Sequence, residues 1–189
     1  MKPIQFLIFC VACLTQTAIG QITDPNQEYR RLIAENKTKG LLEANTDETM
    51  YKWNADVNGD GKVIVFLTLK DFYQKDRHDG QIPQWTVYIP KADGSGYLSA
   101  PNNEPQIDQE KMFVGQITQL NQRGIVTIQI DRPRRDPAVA YIYAYTIEGD
   151  HLKQTKLAEY DPDAGDNIIC NQYLTDTKRT RVVLQEIGP

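Results

Sequence analysis

One heptapeptide combines the oxygen donors and the glycines that a hard cation requires. It runs from Asp56 to Lys62 and reads Asp-Val-Asn-Gly-Asp-Gly-Lys. Calcium takes about six to eight oxygen ligands, and a loop of the form D-x-N-x-D-G supplies side-chain oxygens at its first, third and fifth positions. Glycine at the sixth position allows a sharp turn, and a main-chain carbonyl follows at the seventh. The spacing predicts calcium ligands at Asp56, Asn58 and Asp60, with the backbone carbonyl of Lys62 as the fourth.

The heptapeptide resembles the calcium loop of EF-hand and dockerin proteins. It is more similar to the D-x-N-G-D-G-K loop of FG-GAP and VCBS-type repeats in exported bacterial proteins, because a predicted strand follows it. An EF-hand loop has a glutamate at its twelfth position, where this chain has Leu67. The FG-GAP type has an aspartate at the ninth position, where this chain has Ile64. The resemblance covers this loop alone, and it implies a structural calcium ion with few local ligands.

A tight hairpin turn explains the same residues without a metal, because glycine and asparagine tolerate positive φ. The bidentate carboxylate of an EF-hand is missing, so tight binding would need a distant carboxylate. Asp47, Glu48 and Asp71 are the candidates. The calcium loop and the bare turn therefore both stay open at the level of sequence.

A row of tyrosines forms the second candidate site. Between residues 138 and 147, Tyr141, Tyr143 and Tyr145 alternate with small or aliphatic residues, which places the three rings on one face of a strand. An exposed row could stack on sugar rings or receive a partner protein, whereas a buried row would be ordinary packing. Packing beneath the amino-terminal helix is the favoured interpretation, because that helix needs a sheet face to cover. The exposed alternative predicts a secreted interaction module: an inhibitor, an immunity protein or a carbohydrate binder.

Common catalytic motifs are missing from the sequence. The two histidines, His78 and His151, form no H-E-x-x-H pair, and there is neither a G-x-S-x-G elbow nor a P-loop. Carboxylate pairs could perform acid–base chemistry, but chance pairs are expected in a chain with 25 Asp and Glu residues. We therefore expect a non-enzymatic protein, with a carboxylate-dependent hydrolase as the less favoured alternative.

The amino terminus has the composition of a secretory signal. Lys2 precedes an apolar stretch that ends at Ala18-Ile19-Gly20, a small-x-small pattern suited to signal peptidase. The stretch is short and contains several polar residues, which argues against a membrane span. We expect removal of residues 1–20, leaving residues 21–189 as one secreted or periplasmic domain without a membrane span. Lipidation at Cys13, as in a bacterial lipoprotein, is a minor alternative.

Charge and cysteine content restrict the remaining possibilities. The chain has a formal net charge of −4 and no large Lys- and Arg-rich patch, so we expect no nucleic-acid partner. A protein or glycan partner stays open. Signal removal would take two of the three cysteines, which excludes an internal disulfide. The fold must therefore depend on a hydrophobic core.

One helix and a series of strands are expected around these sites. Asp24 caps a helix predicted over residues 25–38, with Pro25 at its first position. The run from Val63 to Leu69 is apolar on both faces, so it predicts a central strand, whereas residues 41–53 fit either a helix or a strand. Further strands are predicted at 85–89, 112–120, 125–130, 138–147, 152–160 and 181–187. Turn-rich spacers favour antiparallel pairing. The predicted fold is α+β and mainly antiparallel: a single meander-type sheet or sandwich of about seven strands with an amino-terminal helix.

Overall fold

Two antiparallel sheets form the framework of the described part of the chain. The computed structural model describes residues 22–78, 82–99, 105–107, 112–131, 139–149, 151–161, 170–175 and 183–189. The predicted signal segment 1–20, with Cys13, lies outside the described residues. Within the described ranges, no helix has the length and apolar character needed to cross a membrane.

The first sheet has five strands and the second has four. The first contains β1 (Met50–Ala55), β2 (Ile64–Leu69), β3 (Thr86–Pro90), β4 (Tyr97–Ser99) and β9 (Gln185–Ile187), in the order β4-β3-β2-β1-β9. The second contains β5 (Met112–Ile117), β6 (Gln122–Asp131), β7 (Val139–Glu148) and β8 (His151–Tyr160), in that order. Helix α1 spans Pro25–Thr38, helix α2 spans Lys70–His78, and a short 3₁₀ helix spans Cys170–Tyr173.

Helix α1 forms where the capping residues predict it. The Asp24 carboxylate accepts a hydrogen bond from the Asn26 N–H at 2.9 Å, and Pro25 occupies the first turn. The buried face of the helix, which includes Tyr29 and Ile33, packs on the outer face of the five-stranded sheet. The predicted helix over 25–38 is therefore confirmed.

The inner faces of the two sheets enclose the main hydrophobic core. Trp53 of β1 stacks on Phe66 of β2, with ring centroids 3.6 Å apart and ring planes 4° from parallel. The Trp85 ring meets Trp53 edge-on at 5.7 Å. From the second sheet, Met112, Val114, Ile125, Tyr145 and Leu152 complete the same cluster. The two sheets thus pack face to face as a sandwich.

Both ends of the five-stranded sheet are closed by segments distant in sequence. Ile22 forms an antiparallel bridge with Tyr97 of β4, and strand β9 pairs with β1 through Met50 and Ile187. Lys70, at the start of α2, pairs with Glu186 of β9 at 2.7 Å. The two edges of this sheet are therefore bordered by residues from the two ends of the described chain.

The mainly antiparallel α+β prediction is confirmed. Of the two predicted arrangements, the single meander-type sheet of about seven strands is wrong, because the described strands form two sheets that pack as a sandwich. Strand β2 is central and buried along its whole length, as predicted. The chain starts a second sheet at β5 and returns to the first only at β9. Apolar residues on both faces of each sheet explain this outcome, because a second sheet buries the faces that one helix cannot cover. The sequence reading also missed α2 and β4.

Gly124 of β6 offers a test of the packing between strands. A Cβ added there would lie 2.6 Å from Cδ1 of Ile117 and 2.7 Å from the carbonyl oxygen of Tyr145. We expect Gly124→Ala to lower the free energy of unfolding by about 1–3 kcal/mol, because the backbone contact leaves no room to relax. Urea denaturation measures the loss. Gly188→Ala is the control, since nothing lies within 4 Å of its added Cβ; equal losses in the two variants would contradict the packing described.

Candidate functional site

The predicted calcium loop is the hairpin connection between β1 and β2. Ala55 and Ile64 form the last paired positions of the two strands, so residues 56–63 make the turn. Gly59 and Gly61 have φ values of 76° and 81°, in the left-handed region that favours glycine. The sequence was therefore right that this segment turns sharply before the central strand.

The aspartates of the loop hold its backbone through hydrogen bonds. Asp56 Oδ1 accepts the Gly59 N–H at 2.7 Å, and Asp56 Oδ2 accepts the Gly61 N–H at 3.1 Å. Asp60 Oδ1 accepts the Lys62 N–H at 3.0 Å. Each carboxylate oxygen can accept more than one hydrogen bond or ligand contact, so these contacts leave lone pairs for a cation. The bonds stabilise the turn, and they are compatible with both interpretations of the loop.

The loop is attached to both sheets. Val57 is fully buried in the core between the sheets, while Asn58 and Asp60 are exposed to solvent. The Arg123 side chain of β6 lies beside Gly59, because a Cβ added to Gly59 would lie 2.8 Å from Arg123 Nε. The Lys62 ammonium donates to the Ala92 carbonyl at 2.6 Å, which ties the loop to the β3–β4 turn.

The three distant carboxylates proposed as additional ligands lie at the wrong end of the sheet. Asp47 and Glu48 precede β1, and Asp71 follows β2, whereas the loop joins the opposite ends of these strands. Six residues of strand separate the two ends by roughly 17–20 Å. Glu48 pairs instead with Lys37 at 2.7 Å. None of the three can complete a site at residues 56–62.

The donors that remain are few. Among the described residues, no group of three or more His, Cys, Asp or Glu side chains is arranged to hold a metal ion. The loop offers the Asp56 and Asp60 carboxylates, the Asn58 amide oxygen and the Lys62 carbonyl, with water for any other positions. A site with only two carboxylates would bind calcium weakly, at about 10⁻⁴–10⁻³ M, the range of extracellular modules.

The tyrosine row lies on the inner face of the second sheet. Tyr145 is only 2% exposed and belongs to the core between the sheets. Its hydroxyl accepts a hydrogen bond from the Gln154 amide at 2.8 Å and lies 3.4 Å from the Gln106 carbonyl. Packing beneath α1 is therefore wrong, because α1 covers the outer face of the other sheet. The opposing sheet, and not α1, buries Tyr145.

Burial decreases along the row from Tyr145 toward Tyr141. Tyr143 packs against the edge of the core, and Tyr141 and Tyr143 are both half-buried. Their ring centroids are 5.8 Å apart, with planes tilted by 34°. The Lys156 ammonium lies 5.5 Å from the centroid of the Tyr141 ring and pairs with Glu159 at 2.9 Å. Of the three tyrosines in the row, Tyr141 and Tyr143 are the accessible pair.

Two tyrosine hydroxyls have strongly raised pKa values. Burial raises the pKa of Tyr145 to about 12, and hydrogen bonds from Gln154 and Gln129 partly oppose that increase. Burial also raises the pKa of Tyr88, which packs beneath α1, with a smaller contribution from the negative charge of Glu28. Both shifts are consequences of packing, since the neutral phenol is favoured where water is excluded.

Arg123 is the residue of this region that sequence reasoning missed. It stands in the run Asn121-Gln122-Arg123-Gly124, whose composition is typical of a turn between two strands. The structure places it at the start of β6, on the inner face that faces the loop. No local pattern could reveal this contact, because it joins two different sheets.

The chain matches no protein-family model, no curated protein and no solved structure. The resemblance of the 56–62 loop to calcium loops therefore depends on the loop residues alone.

Tyr145 predicts a loss of stability at alkaline pH. Its folded-state pKa of about 12 lies above the value of about 10 for an unfolded tyrosine, so the unfolded chain loses its proton first. The corresponding stabilisation is complete below pH 10 and is lost as the pH rises to 12, by at most about 2–3 kcal/mol. We expect Tyr145→Phe to flatten this decline in urea unfolding measured from pH 8 to 12.

The same variant contains its own control. At pH 8 both side chains are neutral, so the difference between the two proteins reports the lost hydrogen bonds alone. Parallel stability curves for the wild type and Tyr145→Phe across the alkaline range would show that Tyr145 does not titrate as described.

Proposed function

We propose that this chain is an exported, non-catalytic β-sandwich domain whose 56–62 loop binds calcium as a structural ion. One observation carries the proposal: all the candidate donors lie on a single tight turn that is anchored in the core by Val57. An ion held by this turn would stiffen the junction between the sheets. Export is supported by the composition of residues 1–20.

The charge distribution of the turn favours a cation. Asp56 and Asp60 are four residues apart on a loop of short radius, and their mutual repulsion is relieved when a divalent ion lies between them. Asn58 and Asp60 are exposed, so their oxygens can reorient toward an ion without disturbing the core. The Asp56 contacts with Gly59 and Gly61 already hold the loop in a closed shape. Little further ordering would be needed on binding.

Calcium should raise the melting temperature of the mature protein. An ion that binds only the folded state stabilises it by about 2.7 kcal/mol at one hundred times its Kd, which corresponds to a shift of roughly 5–10 °C for a domain of this size. We expect Asp56→Ala combined with Asp60→Ala to abolish the shift. Differential scanning calorimetry with calcium and with chelator measures it, and identical melting curves in the two conditions would refute calcium binding.

Two Asp→Asn variants, which keep a hydrogen-bond acceptor and remove only the charge, separate ion binding from the stability of the turn. Asp60→Asn keeps an acceptor for the Lys62 N–H but removes the charge, so it should preserve the melting temperature in chelator and reduce the calcium shift. Asp93→Asn is the matched control, because the Asp93 carboxylate accepts the Ser95 N–H at 2.9 Å in the same two-residue geometry. If both variants lose the shift equally, the effect is not specific to the 56–62 loop.

A second candidate function is an interaction module that uses the Tyr141 and Tyr143 rings. The observation that favours it is the polar setting of these half-buried rings, with the Lys156 ammonium over Tyr141 and Glu159 beside it. Carbohydrates are recognised by aromatic faces bordered by hydrogen-bonding groups. Tyr145 is excluded from such a surface by its burial. This candidate needs no metal.

Carbohydrate binding by the tyrosine pair predicts a selective effect of Tyr141. We expect Tyr141→Ala to weaken the binding of a soluble oligosaccharide by about three- to tenfold, the value of one aromatic contact. Isothermal titration calorimetry against a small panel of neutral and acidic oligosaccharides measures the binding. Gln172→Ala, at a polar side chain on the other face of the sheet, is the control; absence of binding by the wild type eliminates the glycan version.

A further inference from the structure

Arg123 brings a positive charge from the second sheet to the 56–62 loop. It shares the inner face of β6 with Ile125, which lies in the core between the sheets. A Cβ added to Gly59 would lie 2.8 Å from Nε, 3.1 Å from Cδ and 3.3 Å from Cζ of Arg123. The end of the Arg123 side chain therefore lies beside Gly59. It occupies the space that the side chain of any residue other than glycine would need at position 59.

A negatively charged group of the loop, the Asp56 carboxylate, is also next to Gly59. Gly59 donates its N–H to Asp56 Oδ1 at 2.7 Å, so the Asp56 carboxylate and the Arg123 guanidinium both lie close to Gly59. The two groups are consequently separated by less than about one Debye length at physiological ionic strength. The nearby Lys62 ammonium is directed away, to the Ala92 carbonyl. Arg123 is thus placed to act on the loop electrostatically.

We propose that Arg123 is the built-in counter-ion of the 56–62 loop. In the ion-free chain it offsets the charge of Asp56 and Asp60 and links the β1–β2 hairpin to the second sheet. When calcium binds, the same positive charge opposes the ion and lowers its affinity. This second statement depends on the proposed calcium function, whereas the first concerns the ion-free protein and stands independently.

The ion-free statement is tested by a double-mutant cycle in chelator. We expect Arg123→Gln to lower the melting temperature by about 2–4 °C in the wild type, and by much less when Asp56→Asn and Asp60→Asn are already present. Arg123→Lys, which keeps the charge, should retain part of the stability. Equal losses from Arg123→Gln in both backgrounds would mean that Arg123 only fills space, and would overturn the proposal.

The calcium statement is tested by titration calorimetry of the same proteins. Removing one positive charge at this distance should tighten calcium binding by about three- to tenfold in Arg123→Gln. Lys153→Gln is the matched control, because it removes a positive charge from the same sheet at a side chain paired with Glu148 at 2.6 Å. Calcium binding by Arg123→Gln that is no tighter than by Lys153→Gln would overturn the proposal.

The two measurements distinguish failure of this inference from failure of the calcium function. If neither the wild type nor Arg123→Gln binds calcium but the melting temperatures show coupling, Arg123 is confirmed as the counter-ion of a metal-free turn and the calcium function is refuted. If calcium binds but no coupling is found, the calcium function stands and the role of Arg123 is refuted.

Discussion

The stacking of Trp53 on Phe66 is the contact on which the arrangement of the molecule depends. These two rings pair across β1 and β2, and Trp85, the residue just before β3, packs edge-on against Trp53. Three large aromatic side chains thereby form one apolar surface. Aromatic groups of this size bury more area than any other side chains, which makes such a surface costly to leave in water. The second sheet covers it with the inner faces of its four strands.

Both candidate sites are edges of the same core. At one end, Val57 enters the core and carries the 56–62 turn with it, so the loop is fixed relative to the second sheet and can meet Arg123. Further along the inner face of the second sheet, the tyrosine row leaves the core, passing from buried Tyr145 to half-buried Tyr141. The extent of the opposing sheet therefore determines which of the site residues are accessible to a ligand.

Local signals in the sequence predicted the local structure well. The Asp24 cap, the run that became β2 and the glycine-rich turn at 56–62 each have a cause within a few residues, and each was found in the expected place. The choice between one sheet and a two-sheet sandwich could not be predicted in this way, and neither could the burial of Tyr145 by the opposing sheet. Both depend on which element packs against each sheet face. Alternation of apolar residues along a strand predicts that the strand has an apolar face, but it does not indicate which helix or sheet covers that face. The Arg123–Gly59 contact is hidden for the same reason, since its members lie in different sheets.

Pairing of β9 with the edge of β1 joins segments that are far apart in the sequence. Strand β1 is complete at residue 55, but the strand that pairs with its outer edge begins at residue 185. Until that late segment arrives, β1 presents a row of unpaired backbone groups, the feature through which sheets join to wrong partners. Contacts of such long sequence separation also form slowly. During folding, β9 therefore competes for the edge of β1 with any exposed strand of another chain that could pair there.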